Sequence, residues 1–407
     1  MLFITLSVII GLACSVVSIK TLTGYTPMKR IYKVLTGIVI VAGWFAPFIV
    51  VFVRRRKWLD ADVFSLFSQG AFCLFGICFL LLCLILVRDW AWYTSYKVLK
   101  WRKKPLAERL DPMNPVSIAR ANLAVIVISI VTAVYAVHEG TKIPAYKHVV
   151  IETPKLSEPF TIAVLSDLHI NPTTSVEKIN KIVAKTNQAD PDIIVLPGDI
   201  VDAFPRSVKR QMKALQGLRS KYGVFVTLGN HEFFFGSFRW EKQFEKLGFR
   251  YLGNTAGTIW GKDVYISGIP DARFLKLNDA MKSSIKQTLL NRPSGTYTVF
   301  VSHSPAFVKE LDGDLVDLQI SGHTHGGQIF PFHVIAKKGN KGFLAGLYDV
   351  NGIKLYVSRG AGGWGHFRRG SLGTADAVIR AVRNYDYSPD FRRKRNMTKV
   401  IIIMTVL

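Results

Sequence analysis

The chain has 407 residues, too many for one small domain. Its formal net charge of +25 at pH 7 implies anionic contacts, either lipid head groups or nucleic acid. Nucleic acid is not expected as a partner, because no helix or loop pairs basic residues with aromatics in a regular stripe.

Apolar residues are unevenly spread. Met1–Ile19, Val34–Val53, Val63–Val87 and Ala121–Val137 carry no charge. Runs of about 17–25 apolar residues match the hydrocarbon thickness of a bilayer. Residues 1–142 are therefore expected to form a membrane region of about four transmembrane helices, since no amphipathic partner is left to cover the runs in water. A signal peptide would place basic residues before its apolar stretch, but here the first basic residue, Lys20, follows it. The first run thus reads as a retained helix with its N-terminus outside. Lys20, Lys29, Arg30 and Lys33 lie between the first two runs. Arg88, Lys97, Lys100, Arg102, Lys103, Lys104, Arg109 and Arg120 lie between the last two. The positive-inside rule puts these loops in the cytoplasm, against a smaller basic cluster at Arg54–Lys57. The expected location is the cell membrane, multi-pass, with the rest of the chain extracytoplasmic. Cys14, Cys73, Cys78 and Cys83 all fall in the apolar region, so the remainder needs no disulfide.

Residues 143–159 read as a linker, 160–385 as a soluble α/β domain, and 386–407 as a basic tail. The tail carries Arg392-Arg393-Lys394-Arg395, either solvated or set against anionic lipid. Phe160–Ser166, Asp192–Leu196 and Gly223–Leu228 are apolar runs of strand length, separated by helical spacing over Val176–Asn187 and Val208–Leu218. That alternation implies a parallel sheet with crossover helices. Further strands are expected at Val264–Ser267, Tyr297–Val301 and Leu315–Ser321. Asn351-Gly352 marks a hairpin between Leu347–Val350 and Ile353–Ser358.

Five short motifs follow strands in this region. They are Asp167-Leu168-His169, Gly198-Asp199-Ile200-Val201-Asp202, Gly229-Asn230-His231-Glu232, Ser302-His303 and Gly322-His323-Thr324-His325. In a parallel sheet, ligands gather at the carboxyl ends of the strands. Asp167 and His169 are spaced by two, so an extended segment would turn both to one side, where they can grip one ion. Asp199 has two carboxylate oxygens and can bridge two ions. Asn230 offers a neutral oxygen that limits the negative charge. His303, His323 and His325 add nitrogen ligands, and the spacing of His323 and His325 lets both face the site. The mixed set suits two divalent ions, with Mn, Fe or Zn favoured over Ca or Mg. Two such ions suit phosphoester hydrolysis. Singly, each motif reads as an ordinary turn or a structural histidine. Their ordered recurrence carries the reading.

This ordered set resembles the calcineurin-like metallophosphoesterase superfamily over roughly residues 160–358. Ser321–Ile329, Gly229–Phe233 and Leu247–Asn254 are similar to its bacterial membrane-associated branch. The resemblance implies a calcineurin-like α/β sandwich following the membrane region. It implies that Asp167, His169, Asp199 and His325 hold the first metal, and that Asp199, Asn230, His303 and His323 hold the second. It makes His231 the general acid that protonates the leaving oxygen, oriented by Asp202. The expected reaction is phosphoester hydrolysis by attack of a metal-bridged hydroxide.

The branch usually places a proline in the loop after Ser358, where this chain has His366-Phe367, so no particular substrate is carried over. Arg359 or Arg368 could meet a substrate phosphate or form an ion pair. Phe233, Phe234, Phe235, Phe238 and Trp240 form either a wall for a lipid-linked or cell-envelope substrate or the core of the next helix. Two alternatives stand beside the membrane-anchored phosphohydrolase. One is a pyrophosphatase of the UDP-diacylglucosamine type, from lipid A synthesis. The other is a non-catalytic membrane scaffold.

Overall fold

The structure, a computed structural model, describes residues 2–24, 26–56, 58–59, 61–104, 111, 114–141, 143, 145–259, 263–275, 277–327, 332–362 and 398–406. The chain divides into two compact units, Met1–His138 and Glu139–Leu407.

The first unit consists of α1 (Leu2–Thr23), α2 (Arg30–Arg56), α3 (Ala61–Trp101) and α4 (Pro115–Thr141). All four are long and apolar enough to cross a membrane. Leu22, Ile40, Trp44, Cys78, Leu81, Ile85 and Val125 form a narrow buried seam, while Leu12, Val16, Val39, Leu123 and Val134 face outward. Several buried hydroxyls turn back on the backbone. Ser15 Oγ donates to Gly11 O at 2.7 Å and Ser129 Oγ to Val125 O at 2.8 Å, as a medium without water requires. Helix α3 does not stop at Arg88, where its uncharged run ends. It has 41 residues, a length of about 60 Å. Its last turns carry Trp90, Trp92, Tyr93, Tyr96, Lys97 and Lys100, the residue types that sit at a membrane–water interface.

The second unit is built as strand-and-crossover units. Its elements are β1 (Ala145–Thr153), β2 (Phe160–Val164), α5 (Val176–Gln188), β3 (Ile193–Leu196), α6 (Lys209–Leu215), β4 (Val224–Val226), α7 (Asn230–Phe234), α8 (Ser237–Lys246) and β5 (Arg250–Tyr251). There follow β6 (Thr255–Ile259), β7 (Val264–Ile269), α9 (Asp279–Leu290), β8 (Tyr297–Ser302), β9 (Leu318–Ser321), α10 (Phe332–Gly339), β10 (Gly346–Val350), β11 (Ile353–Val357) and β12 (Thr398–Val406). Ser175 caps α5, its side chain accepting from Lys178 N, which satisfies one of the N–H groups a helix start leaves open.

Two six-stranded sheets result, in the orders β1-β12-β2-β3-β4-β5 and β10-β11-β9-β8-β7-β6. Strands β12, β2, β3, β4 and β5 run parallel, as do β7, β8, β9 and β11. The sheets face each other through one apolar cluster. Ile162, Val164, Ile193, Val195 and Phe225 meet Val264, Ile266, Val299, Val301, Leu318 and Ile320. The outer face of the first sheet packs on Ile179 and Ile182 of α5, Met212 and Leu215 of α6, and Trp240 and Phe244 of α8. The outer face of the second packs on Ile285 and Leu289 of α9. The unit is thus an α/β sandwich of helix, sheet, sheet and helix layers.

Three segments depart from the sequence reading. The expected linker 143–159 contains β1, an edge strand. The expected basic tail contains β12, inserted between β1 and β2 with Val400 opposite Phe160. Its Arg392–Arg395 cluster lies outside the described residues. Helix α6 is shorter than its helical spacing, because Gln216 and Gly217 close it with turn hydrogen bonds to Met212 and Ala214.

Candidate metal centre

Parallel neighbours deliver their following loops to one end of each sheet. The loops after β2, β3 and β4 carry Asp167, His169, Asp199, Asp202, Asn230 and His231, and those after β8 and β9 carry His303, His323 and His325. Main-chain hydrogen bonds stitch these loops together. Asp167 N donates to Gly198 O at 3.1 Å, His169 N to Asp199 O at 3.1 Å, and Gly322 N to His303 O at 3.2 Å.

The convergence is not produced by strand alternation, as the spacing-by-two argument expected. Asp167, His169, Asp199, His323 and His325 all have φ between +48° and +73° and make up half of the non-glycine residues with positive φ among the described residues. Left-handed backbone is costly for residues with a Cβ, so the surrounding loops must hold it. Glycines allow the close approach. A Cβ on Gly229 would fall 2.2 Å from Asp199 Oδ1, and one on Gly322 would fall 2.3 Å from Asp167 Oδ2.

Three groups of side chains lie close enough to hold a cation, with ligand atoms within 4.8 Å of one another. They are Asp167, His169 and His325; His169, Asp199 and His231; and Asp199, His303 and His323. Asp199 joins two of the groups. Its Oδ2 lies 3.2 Å from His303 Nε2 and 3.9 Å from both His169 Nε2 and His231 Nε2. Asn230 Oδ1 lies 3.2 Å from His303 Nε2. His325 sits with His169 and Asp167, while His323 sits with His303, at 5.0 Å between ring centres.

The donor chemistry fits a cation. His303 Nδ1 donates to Pro197 O at 2.8 Å, and His169 Nδ1 donates to Asp202 Oδ1 at 2.8 Å. Both rings therefore aim Nε2 into the site, where release of its proton exposes a lone pair to a cation. His169 Nε2 and His325 Nε2 face each other at 3.0 Å, a spacing that a shared positive charge satisfies. The buried carboxylates demand that charge. Burial disfavours a charged His303, yet Asp199 and then Asp167 outweigh it and push its pKa up to about 10. Burial opposes loss of the Asp199 proton, but His303, then His169 and His231, favour it more strongly, so its carboxyl lies far below the usual range. His323 goes the other way, down to about 3, through burial and then through His303 and Arg273.

Asp202 serves two rings. Its Oδ1 lies 2.8 Å from His169 Nδ1 and 2.6 Å from His231 Nδ1. His231 is partly exposed, with 12% of its side chain in solvent, at the edge of the site.

Three residues escaped the sequence reading. Glu232 is fully buried and accepts from Gly229 N, Asp199 N, Ile200 N and Val201 N at 2.7–3.0 Å. It clamps the Asp199 loop, and burial followed by Asp199 pushes its pKa up to about 7. The signal was a capping-box glutamate, weakened by a glycine at the cap. Asp271 and Arg273, after β7, also reach the site, and no motif marks them.

The aromatic cluster divides. Trp240 is buried, its Nε1 donating to Ala203 O at 3.0 Å. Phe234 and Phe238 are exposed. Phe234 lies 5.6 Å from the His231 ring and 5.5 Å from Phe274, which stacks on Phe233 at 4.8 Å. Arg368 and His366 lie outside the described residues.

Comparison with known proteins gives the family. The family model for calcineurin-like phosphoesterases matches residues 160–327. An uncharacterized metallophosphoesterase from Campylobacter jejuni is 29% identical over 90% of this chain and 95% of its own length. One from Aquifex aeolicus is 31% identical over 44% of this chain and 69% of its own. A transmembrane protein with a metallophosphoesterase domain from Bos taurus is 28% identical over 76% of this chain and 72% of its own. The chain belongs to the calcineurin-like phosphoesterase family, whose members use divalent metals, and is a metal-dependent phosphoesterase.

Proposed function

We propose that this protein is a membrane-anchored phosphohydrolase with a two-metal centre, acting outside the cytoplasm on a phosphoester joined to an apolar, lipid-like group. The observation that carries the chemistry is the placement of Asp199 between the two donor groups, within reach of His169, His303 and His231 at once.

In this reading Asp167, His169, Asp199 and His325 hold one ion, and Asp199, Asn230, His303 and His323 the other. When bound, the ions supply Lewis-acid chemistry, neutralising phosphoryl oxygens and activating water. The chain's own groups do the rest. His231, at the rim, gives a proton to the leaving oxygen. Asp202 faces His231 Nδ1 and holds the ring so that Nε2 points inward. Glu232 fixes the Asp199 loop through four main-chain N–H groups.

Substrate class rests on the exposed phenyl rings of Phe234 and Phe274 beside His231, since large aromatics left in water mark contact surfaces. Membrane anchoring rests on the four apolar helices and on the kinship to transmembrane relatives. The outward placement rests on the basic loops, reinforced by the basic and aromatic end of α3. Nothing at the site favours a nucleotide-linked pyrophosphate over another bond. The test compares kcat/KM for a lipid-linked phosphoester and its short-chain water-soluble counterpart, with wild type and Phe234→Ala. A preference for the lipid-linked compound that shrinks in the variant supports the substrate class. Equal kcat/KM for both compounds would refute it.

A further inference from the structure

Arg273 lies on the loop after β7 and reaches Asn230 and His323 of the donor set. Its base is tightly held. Asp271 is fully buried, and its carboxylate accepts from Arg273 Nε at 3.1 Å on each oxygen and from the Arg273 main-chain N at 3.0 Å. A terminal nitrogen also reaches Asp271 Oδ2 at 2.5 Å. Asp271 N in turn donates to Leu228 O at 2.8 Å, at the root of the Asn230 loop. The same terminal nitrogen, Nη2, also turns toward the donor set, and Nη1 reaches it with no carboxylate partner of its own. Nη2 points at Asn230 Oδ1, 2.7 Å away, and Nη1 at His323 Nε2, 2.9 Å away. The side chain is 46% exposed, so these nitrogens stand at the open mouth of the site.

These outer contacts use the donors that the proposed second ion needs. An imidazole nitrogen has one lone pair, so His323 Nε2 cannot serve both a cation and Arg273. With the ion in place, the outer N–H groups lose an acceptor beside a second positive charge. The group that satisfies both is an anionic oxygen, and a guanidinium fork matches a phosphate in geometry as well as charge. A purely structural Arg273 would need only Asp271. We propose that Arg273 is the phosphate-binding residue of this site, with Asp271 as its positioning residue, gripping a non-bridging oxygen of the substrate's phosphoryl group and of product phosphate. The proposal rests on the hydrolase reading above and adds the residue that recognises the phosphoryl group.

The experiment titrates inorganic phosphate into the manganese-loaded full-length protein in detergent by calorimetry, with metal per chain measured on the same samples. Wild type, Arg273→Ala, Arg273→Lys and the double variant Asp271→Asn/Arg273→Ala are compared. The double variant removes the buried carboxylate that the single alanine would leave unpaired. The expected result is unchanged metal content, phosphate Kd raised at least about tenfold in both alanine proteins, and partial recovery in the lysine variant, which keeps the charge but not the fork. Unchanged phosphate Kd at full metal content would overturn the proposal, as would loss of metal that accounts for the whole effect. Phosphate binding is read without turnover. A wild type that hydrolyses nothing would sink the hydrolase reading, while the titration still decides the role of Arg273.

Discussion

Val131 on α4 and Ile162 on β2 are both aliphatic residues inside regular elements, yet Val131 is 61% exposed and Ile162 is fully buried. The same contrast runs through the two units. The N-terminal helical unit turns Leu, Ile and Val outward, and hydroxyls such as those of Ser15 and Ser129 bond helix carbonyls. The phosphoesterase unit hides its aliphatics between layers and concentrates buried charge at one end of its strands. The difference fits the solvents proposed for the two units. In hydrocarbon the expensive groups are polar ones, and Ser15 and Ser129 are satisfied within their own helices. In water, buried charge is tolerated only where opposite charge answers it. Asp167, Asp199, Glu232 and Asp271 are therefore gathered with histidines, main-chain N–H groups and one arginine.

Substitutions can break this contrast from either side. At the charged end of the strands, His231→Ala should keep its metal and lose roughly 10²–10⁴-fold in kcat on a substrate with a poor leaving group. Wild-type kcat in a fully metallated variant would remove its role as acid. Glu232→Ala leaves four main-chain N–H groups without their acceptor. At about 1–3 kcal/mol for a buried unpaired group, the phosphoesterase unit should lose about 3 kcal/mol or more. Denaturant unfolding followed by tryptophan fluorescence reads this, and a loss below about 1 kcal/mol would mean the clamp is unimportant. On the apolar side, Val131→Arg places a charge near the middle of α4 and should cost about 2.5–3.5 kcal/mol of membrane insertion. Glycosylation-site mapping of insertion efficiency measures it, and full insertion would argue that α4 does not face lipid.

The smallest effect is a pH dependence. With no cation bound, the His303 pKa is raised to about 10. A raised pKa means the proton is held more tightly than in a free imidazole, so below pH 10 a cation must displace it. Metal affinity should climb with pH, by up to about tenfold per unit from this group. Calorimetry in buffers of different ionisation enthalpy should show proton release on metal binding. The absence of release at pH 7 would mean that His303 enters the reaction already neutral.

The strands that carry the ligands were legible because each apolar run ends at a glycine or a polar ligand residue, as at Leu196-Pro197-Gly198-Asp199. Helix α5 was legible from its apolar spacing. Strands β1 and β12 were not. Their ladder pairs residues from opposite ends of the unit, and no local pattern marks so distant a partner. The residues that the structure gathers were named from their motifs, but the reason they converge was not. Period-two alternation was assumed, whereas left-handed backbone at Asp167, His169, His323 and His325 does the work. That conformation is imposed by neighbouring loops and leaves no mark in residue type. Asp271 and Arg273 were invisible for a related reason, since an ion pair between residues two apart resembles any surface turn until β7 places it beside Asn230 and His323.

The central claim is that Asp199 joins two metal positions in a working phosphoesterase. The direct test counts metal per chain and measures hydrolysis of phosphomonoester, phosphodiester and pyrophosphate substrates by the purified full-length protein. It is run metal-free and with Mn, Zn, Fe or Mg, beside Asp199→Asn. The account predicts two metals per chain and metal-dependent turnover in the wild type, with both metal content and turnover falling in Asp199→Asn. Full metal content and undiminished turnover in Asp199→Asn would contradict it.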